Sequence, residues 1–324
     1  MTDYMEIKSA GILSTIQDAG RIGYQGSGFQ ASGCMDTRAY HDANALVNND
    51  LDAPVIEMLF SGMSIIFYTH TYIAITGAKA KIKLNGKEIS SYCTYEINNG
   101  DKLDIGTASS GRFIYLAVAG GLNIPQVMGS YSTNMKCGIG GFAGRALRAG
   151  DKIGLNKYTG YFPNLYLREA CEPVYLREKE EITLIHVIAG PQDDYFTDAG
   201  KTTFSSEIYE ITDESDRMGY RIDGPAVEYI NSVDILSDGI VFGSIQIVAS
   251  GKPMILMADR QTTGGYAKIA TVISSDLPRI AQCMPGDKIR FCFVSLKEAE
   301  KYNHLDDKEK RKFRQKCGYV RRHK

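Results

Sequence analysis

Ser237–Tyr266, SDGIVFGSIQIVASGKPMILMADRQTTGGY, is the stretch from which this chain is best read. Two apolar runs, Ile240–Ile247 and Pro253–Ala258, have the length and β-branched content of short strands. The second breaks into Asp259-Arg260-Gln261-Thr262-Thr263-Gly264-Gly265-Tyr266. An acid, a base, an amide, two hydroxyls and two glycines at a strand end are poor core material and suit a small polar ligand. Arg260 can fork onto an anion. Thr262, Thr263 and backbone N–H groups can donate to the same oxygens. Gly264 and Gly265 admit positive φ and a close backbone approach. A Gly-Gly pair is also a hairpin signal, so a solvated turn is the plainer alternative, and the density of polar groups favours a site.

Outward from this stretch the chain reads as mainly β. Strand-like runs recur at Val55–Leu59, Ser64–Tyr68, Tyr72–Thr76, Tyr92–Ile97, Phe113–Ala119, Ile182–Ala189 and Lys288–Val294, bounded by Gly, Pro, Asn and Asp. Many short strands at close spacing point to barrels or sandwiches. One helix is expected at Asp36–Val47, with Asp36 as N-cap and an apolar stripe of Ala39, Ala43, Leu46 and Val47. The tail from Lys297 onward reads as helical and then basic. Gly-Asp-Lys followed by Leu or Ile occurs at Gly100–Leu103, Gly150–Ile153 and Gly286–Ile289, each a turn leading into an alternating strand. Lys157–Glu180, rich in Tyr, Pro and charge, is the candidate boundary. The expected division is therefore 1–160, 175–295 and a basic helical tail at 296–324.

The 324 residues carry a formal net charge of -1, which argues against nucleic acid as the main partner. Met1–Lys8 lacks the apolar core of a signal peptide and no apolar run approaches a membrane span, so a cytoplasmic protein with no membrane partner is expected. Seven cysteines without a C-x-x-C pair argue against a disulfide framework, and no His/Cys/carboxylate spacing suggests a metal site. Gly200-Lys201-Thr202 ends like a phosphate loop, but Tyr195 stands where the first Gly belongs. Gly138–Gly144 only loosely resembles a dinucleotide fingerprint.

Three further polar clusters stand out. Gln17, Asp18 and Arg21 precede Ser32-Gly33-Cys34-Met35-Asp36; Ser130 and its hydroxyl neighbours precede Arg145; Asp216-Arg217 follows Glu214-Ser215. Each sets Arg beside Gly or a hydroxyl residue, which is how a small anion is gripped. Each also has a structural reading: Arg21 and Arg145 can pair with nearby acids to fix loops, and Asp216 can cap a turn. Taken with the opening stretch, the clusters suggest a composite cleft.

The blocks TIQDAGRIGYQ, SGCMDTRAYHDANALV, VAGGLNIPQVMGSYST, GGFAGRAL, AGPQDDYF, SDRMGYR, SDGIVFGSIQ and ADRQTTGGY, in that order, resemble the carboxyltransferase-domain family typified by the C subunit of 5-oxoprolinase. That family also includes the antagonist of a sporulation-kinase inhibitor, and it is similar to the second subunit of allophanate hydrolase and to the carboxyltransferase module of urea carboxylase. The resemblance implies two cyclophilin-like β-barrel halves with few helices. It implies an enzyme that works with separate 5-oxoprolinase B and A subunits, converting 5-oxoproline to glutamate with ATP hydrolysis. A carboxyltransferase that takes CO₂ from biotin on a separate carrier is the alternative, and a non-enzymatic antagonist of a kinase inhibitor the third. Tyr131, Ala267 and Asn48 stand where relatives carry Arg, Pro and Gly.

Opening a lactam requires a grip on the substrate carboxylate, donors for developing negative charge and a base. The candidates are Arg217 and Arg260 for the anion, and Gln246, Gln261, Thr262, Thr263, Gly264, Gly265 and Tyr266 for the substrate. Asp259 or Asp216 would act as base or orient an arginine, and Asp259, at a strand end beside the Gly turn, is the expected base. Gln17, Asp18, Arg21, Asp36, Ser130 and Arg145 complete the expected substrate-binding set.

Overall fold

The β-branched runs fold as strands, and several extend beyond their apolar centres. The computed structural model describes residues 3–158, 168–177 and 181–319; half of the candidate boundary (159–167 and 178–180) and the last tail residues lie outside them. The backbone divides into two units. One comprises Met1–Ile22, Ser32–Glu178 and Glu309–Lys324, the other Gly23–Ala31 and Lys179–Lys308.

The first unit is built on a nine-stranded antiparallel sheet. Its strands are β1 (Tyr4–Ser9), β2 (Leu13–Gln17), β3 (Val55–Leu59), β4 (Ser64–Tyr68), β5 (Thr71–Leu84), β6 (Lys87–Ile89), β7 (Thr94–Ile97), β8 (Lys102–Val118) and β9 (Lys152–Gly154). They run in the order β2-β3-β8-β4-β1-β9, and β5 pairs with β6, β7 and β8. The register of β5 against β8 shifts three times between Gly77 and Ile82, which bends this long pair. Phe113–Val118 is buried on both faces, unlike the alternating first half of β8. Helix α1 (Thr37–Leu46) covers this region; its Ala39 carbonyl accepts from Thr76 Oγ1. Asp36 caps α1 by accepting from the Ala39 amide, as its position before the apolar stripe predicts. The short α2 (Val174–Arg177) also lies in this unit.

The second unit is a closed seven-stranded barrel in the order β10-β17-β14-β15-β12-β11-β18. Its strands are β10 (Ile182–Ala189), β11 (Tyr209–Ile211), β12 (Gly219–Asp223), β14 (Ser244–Ile247), β15 (Pro253–Leu256), β17 (Lys268–Val272) and β18 (Lys288–Phe293). Only β10 and β18, which close the circle, pair in parallel. Ile185, Val187, Ile245, Ile255, Ile269 and Ile289 are fully buried, with Phe204 of α3 (Asp198–Ser206) stacked on Phe291 at 4.4 Å. The remaining strands, β13 (Asp234–Gly239) and β16 (Thr263–Tyr266), form a separate two-stranded sheet. Helix α4 (Leu277–Ala281) precedes β18, and α5 (Leu296–Lys316) follows it as the sequence foresees. The mainly β architecture with a closed barrel agrees with the expected fold class.

The three Gly-Asp-Lys turns are one device. The glycines have φ of 94°, 90° and 85°. Asp101, Asp151 and Asp287 accept through Oδ2 from the amides of Asn98, Arg148 and Met284 at 2.7, 2.8 and 2.8 Å. Each glycine amide donates across to a neighbouring segment, at Phe67, Ile7 and Ile211. Asn48 has φ 53°, a conformation Asn tolerates better than most residues.

Candidate functional site

In the second unit, Asp259, Arg260 and Gln261 form the turn between β15 and β16. Arg217 forks onto Asp259, Nε to Oδ2 at 2.8 Å and Nη2 to Oδ1 at 3.1 Å. The two side chains are 7% and 16% exposed, so the pair is largely withdrawn from water. Backbone bonds reinforce it: the Asp259 amide donates to the Arg217 carbonyl at 2.8 Å, and Gln30 Nε2 donates to the Asp259 carbonyl. Asp259 therefore spends both oxygens orienting Arg217. Asp216 is exposed and uses Oδ1 to cap its own turn, accepting from the Met218 and Gly219 amides.

Arg260 is differently placed. Its Nε and Nη1 reach only the Ile240 and Met257 carbonyls, both at 3.3 Å, and its guanidinium lies 5.7 Å from the Phe242 ring. Burial holds its pKa below the usual arginine value, which still leaves it a cation. Among the described residues it has no carboxylate within ion-pair distance. It is the cation in this turn with charge to offer a ligand, next to the exposed Gln261 and Thr263 and the partly exposed Thr262.

Gly264 and Gly265 need a correction. Both lie inside β16 rather than at a turn, and neither has positive φ. Gly264 is small for another reason: a Cβ there would lie 2.6 Å from both Gln246 Nε2 and Ile240 Cδ1. The missing side chain lets Gln246, 4% exposed on β14, reach the Tyr266 carbonyl at 3.1 Å. Gln246 thus fixes β16 from the barrel.

A group that sequence reasoning missed fixes the other end. Lys268, 3% exposed on β17, donates through Nζ to Asp238 Oδ2 at 2.6 Å and to the Gly239 carbonyl at 3.1 Å. Gln192 joins them, accepting from the Lys268 amide at 3.2 Å and donating to Asp238 at 3.3 Å. The ammonium of Lys268 draws the Asp238 carboxyl below the ordinary range. The available signal was a lysine between Ala267 and Ile269, a charge at the head of an apolar strand.

Apart from the partly exposed Arg145, the first-unit candidates are buried, and Gln17, Asp18, Arg21 and Ser130 interlock. Asp18 Oδ1 accepts from the Gly20 amide, Ser130 Oγ and Ser132 Oγ, and its Oδ2 accepts from the Tyr131 amide. Gln17 accepts from the Gly33 amide and donates to the Thr133 carbonyl; Arg21 donates to the carbonyls of Val127 and Ser132. Arg145 makes a two-pronged ion pair with Asp151 at 2.8 Å on each prong. Asp36 caps α1 and accepts from the Tyr175 hydroxyl. These contacts join loops 17–21, 32–36 and 127–133. Gly140 and Gly141 serve the same packing: Cβ atoms on them would strike the Ser132 carbonyl and Thr133 Oγ1 at 2.1 and 1.9 Å. Gly200-Lys201-Thr202 lies within α3, where a Cβ on Gly200 would lie 2.1 Å from the Glu228 carbonyl, and Lys201 is paired with Asp193.

Residues 27–293 match the family described as carboxyltransferase domain, subdomain A and B. The chain belongs to this family. It is 35% identical to the C subunit of 5-oxoprolinase from Escherichia coli over 92% of its own length and 93% of that protein. It is 32% identical to the urea amidolyase of Lachancea kluyveri over 93% of its length, which is 17% of that much longer protein. The crystal structure of the Kluyveromyces lactis urea carboxylase superposes with a TM-score of 0.87 at 26% identity, covering 99% of this chain and 30% of that one. No helix among the described residues is long and apolar enough to cross a membrane.

Proposed function

We propose that this chain is the C subunit of an ATP-dependent 5-oxoprolinase, acting with separate A and B subunits to open 5-oxo-L-proline to L-glutamate. The observation that carries the proposal is end-to-end correspondence with a 5-oxoprolinase C subunit, at 35% identity over more than nine-tenths of both chains. The geometry supports an anionic substrate. Arg260, held against two carbonyls and near the face of Phe242, is the grip for the carboxylate. The Thr262 and Thr263 hydroxyls are its companion donors. Asp259 orients Arg217, and Asp216, with one oxygen uncommitted, is the acid available as base. ATP is a co-substrate of the complex in this reading.

The alternative, a carboxyltransferase receiving CO₂ from biotin on a separate carrier, draws on the urea amidolyase match and the urea carboxylase superposition. One experiment separates the two. 5-Oxoproline-dependent ATP hydrolysis and glutamate release are measured with the cognate A and B subunits, with and without this chain. Activity that disappears when the chain is omitted supports the oxoprolinase reading. Activity that does not depend on it, with turnover restored by a biotinylated carrier and urea or another amide, overturns that reading in favour of carboxyl transfer.

A further inference from the structure

The sheet that carries β16 has an exposed side. Between the pairs Asp234–Tyr266 and Asp238–Gly264 the register slips, so that Ile235, Leu236 and Ser237 stand opposite Gly265 alone. A bulge re-aims the side chains it contains, and Leu236 is 94% exposed. Tyr266, on the partner strand, is 36% exposed. Ile230, at the approach to β13, is 58% exposed, and its amide donates to the carbonyl of Tyr195, itself 38% exposed. A lone exposed leucine means little, but Leu236 on the bulge, Tyr266 on the paired strand, and Ile230 and Tyr195 on the bonded segments that lead into β13 together have the composition of an interface centre. The bulge is not a loose loop. Lys268 and Gln192 pin Asp238 immediately after it, and Gln246 pins Tyr266 across from it. Anchors held in place before binding lose little conformational freedom on docking.

The charge around this patch identifies the occupant. Asp193 and Asp194 precede Tyr195, and Glu228 and Asp234 flank Ile230, whereas Lys201 and Lys268, the basic residues tied to these segments, are paired with Asp193 and Asp238. We propose that the bulge of β13, centred on Leu236, is the docking surface for another protein of the complex, one presenting an apolar pocket rimmed by Lys and Arg. The inference rests on the proposed subunit role and says which face that role uses. The partner would lie over the sheet carrying Thr263 to Tyr266, so that assembly would also enclose the ligand-binding turn.

The test measures binding of the wild-type chain, Leu236→Asp and Ile208→Asp to the cognate A and B subunits, separately and mixed, by calorimetry at low and high salt. Ile208 is an exposed control beside β11, at the opposite end of the β10–β18 pair from Ala189 and the loop that follows it. Circular dichroism and melting checks that each variant is folded; Leu236, facing water, should tolerate replacement. The expected result is affinity reduced about 30-fold or more in Leu236→Asp, unchanged affinity in Ile208→Asp, and weaker wild-type binding as salt rises. Wild-type binding that Leu236→Asp leaves intact overturns the docking surface while the subunit reading stands. A wild-type chain that binds neither of the two, alone or mixed, overturns both.

Discussion

Removing one partner of the Arg217–Asp259 pair should unsettle the second unit and its ligand turn together. Truncating one half of a fully buried ion pair costs about 3–5 kcal/mol because the other charge is stranded out of water. Asp259 is 16% exposed, and some water would reach the site. About 2–3 kcal/mol is therefore expected for Asp259→Ala or Arg217→Met alone. For a unit of this size that corresponds to a melting point lowered by roughly 6–12 °C. The double variant, with both charges gone, should be less destabilised than the sum of the singles, by at least about 1 kcal/mol. Urea unfolding followed by circular dichroism gives all three values. A second readout follows from the neighbour. With Arg217 gone, Asp259 is free to neutralise Arg260, so Arg217→Met should raise KM for a carboxylate substrate of the assembled enzyme more than it lowers kcat. Single variants within about 0.5 kcal/mol of wild type, or costs that simply add, would refute the reading of this pair as a buried, coupled unit.

Three further outcomes follow from the structure. Asp42, buried beside Arg38 with Nε to Oδ2 at 2.9 Å, has its carboxyl raised by burial from its ordinary 3.8 to about 7, despite the opposing pull of Arg38. A raised acid binds its proton more tightly in the folded state, so its contribution is full below pH ~4 and is lost as pH rises through ~7. Melting between pH 4 and 7 should show Asp42→Asn losing less stability with rising pH than wild type, and parallel curves would contradict this. Gly100→Ala, Gly150→Ala and Gly286→Ala meet open space but force alanine to positive φ; each should cost about 1–2 kcal/mol, and unequal costs would show that the three turns are not one device. Arg168 donates to the carbonyls of Ala45 and Leu46 at the end of α1 and to that of Gly318 just beyond α5; in Arg168→Met, amide exchange at 313–319 should accelerate about 10-fold or more, and unchanged protection would mean that Phe313 and Cys317 hold the helix end alone.

What the sequence made legible was what local chemistry decides. Val55–Leu59, Ser64–Tyr68 and Ile182–Ala189 are strands with the bounds their composition predicts. The α1 cap at Asp36 and the repeated Gly-Asp-Lys turn also follow from residues within a few positions of one another. The two-stranded sheet was not legible, because β13 and β16 hold few apolar residues and owe their pairing to Lys268, Gln192 and Gln246 reaching across from the barrel region. Gly264 was misread for a related reason. A glycine in sequence announces freedom of φ, but here it makes room for a glutamine side chain from another strand. The Asp18 cluster shows the limit most plainly. Acid, arginine and hydroxyls at close spacing can describe either a ligand grip or a loop anchor, and the choice depends on where the donors come from. Ser130, Tyr131 and Ser132, more than a hundred residues away in sequence, occupy the carboxylate.

The same question of origin sorts the arginines. Arg145 finds Asp151 six residues away, and Arg217 finds Asp259 at a separation of 42. Arg21 is spent on carbonyls deep in its unit, fully buried. Arg260 sits beside an acid in sequence, yet that acid faces Arg217. Two adjacent residues of opposite charge would ordinarily satisfy each other and have little to offer a ligand. By taking both oxygens of Asp259, Arg217 keeps that carboxylate from pairing directly with its neighbour, and the carbonyls of Ile240 and Met257 hold the guanidinium of Arg260 without neutralising it. In the proposed oxoprolinase, Arg217 therefore acts on the substrate through its neighbour: it orients the turn and leaves Arg260 as the cation that the substrate carboxylate can pair with.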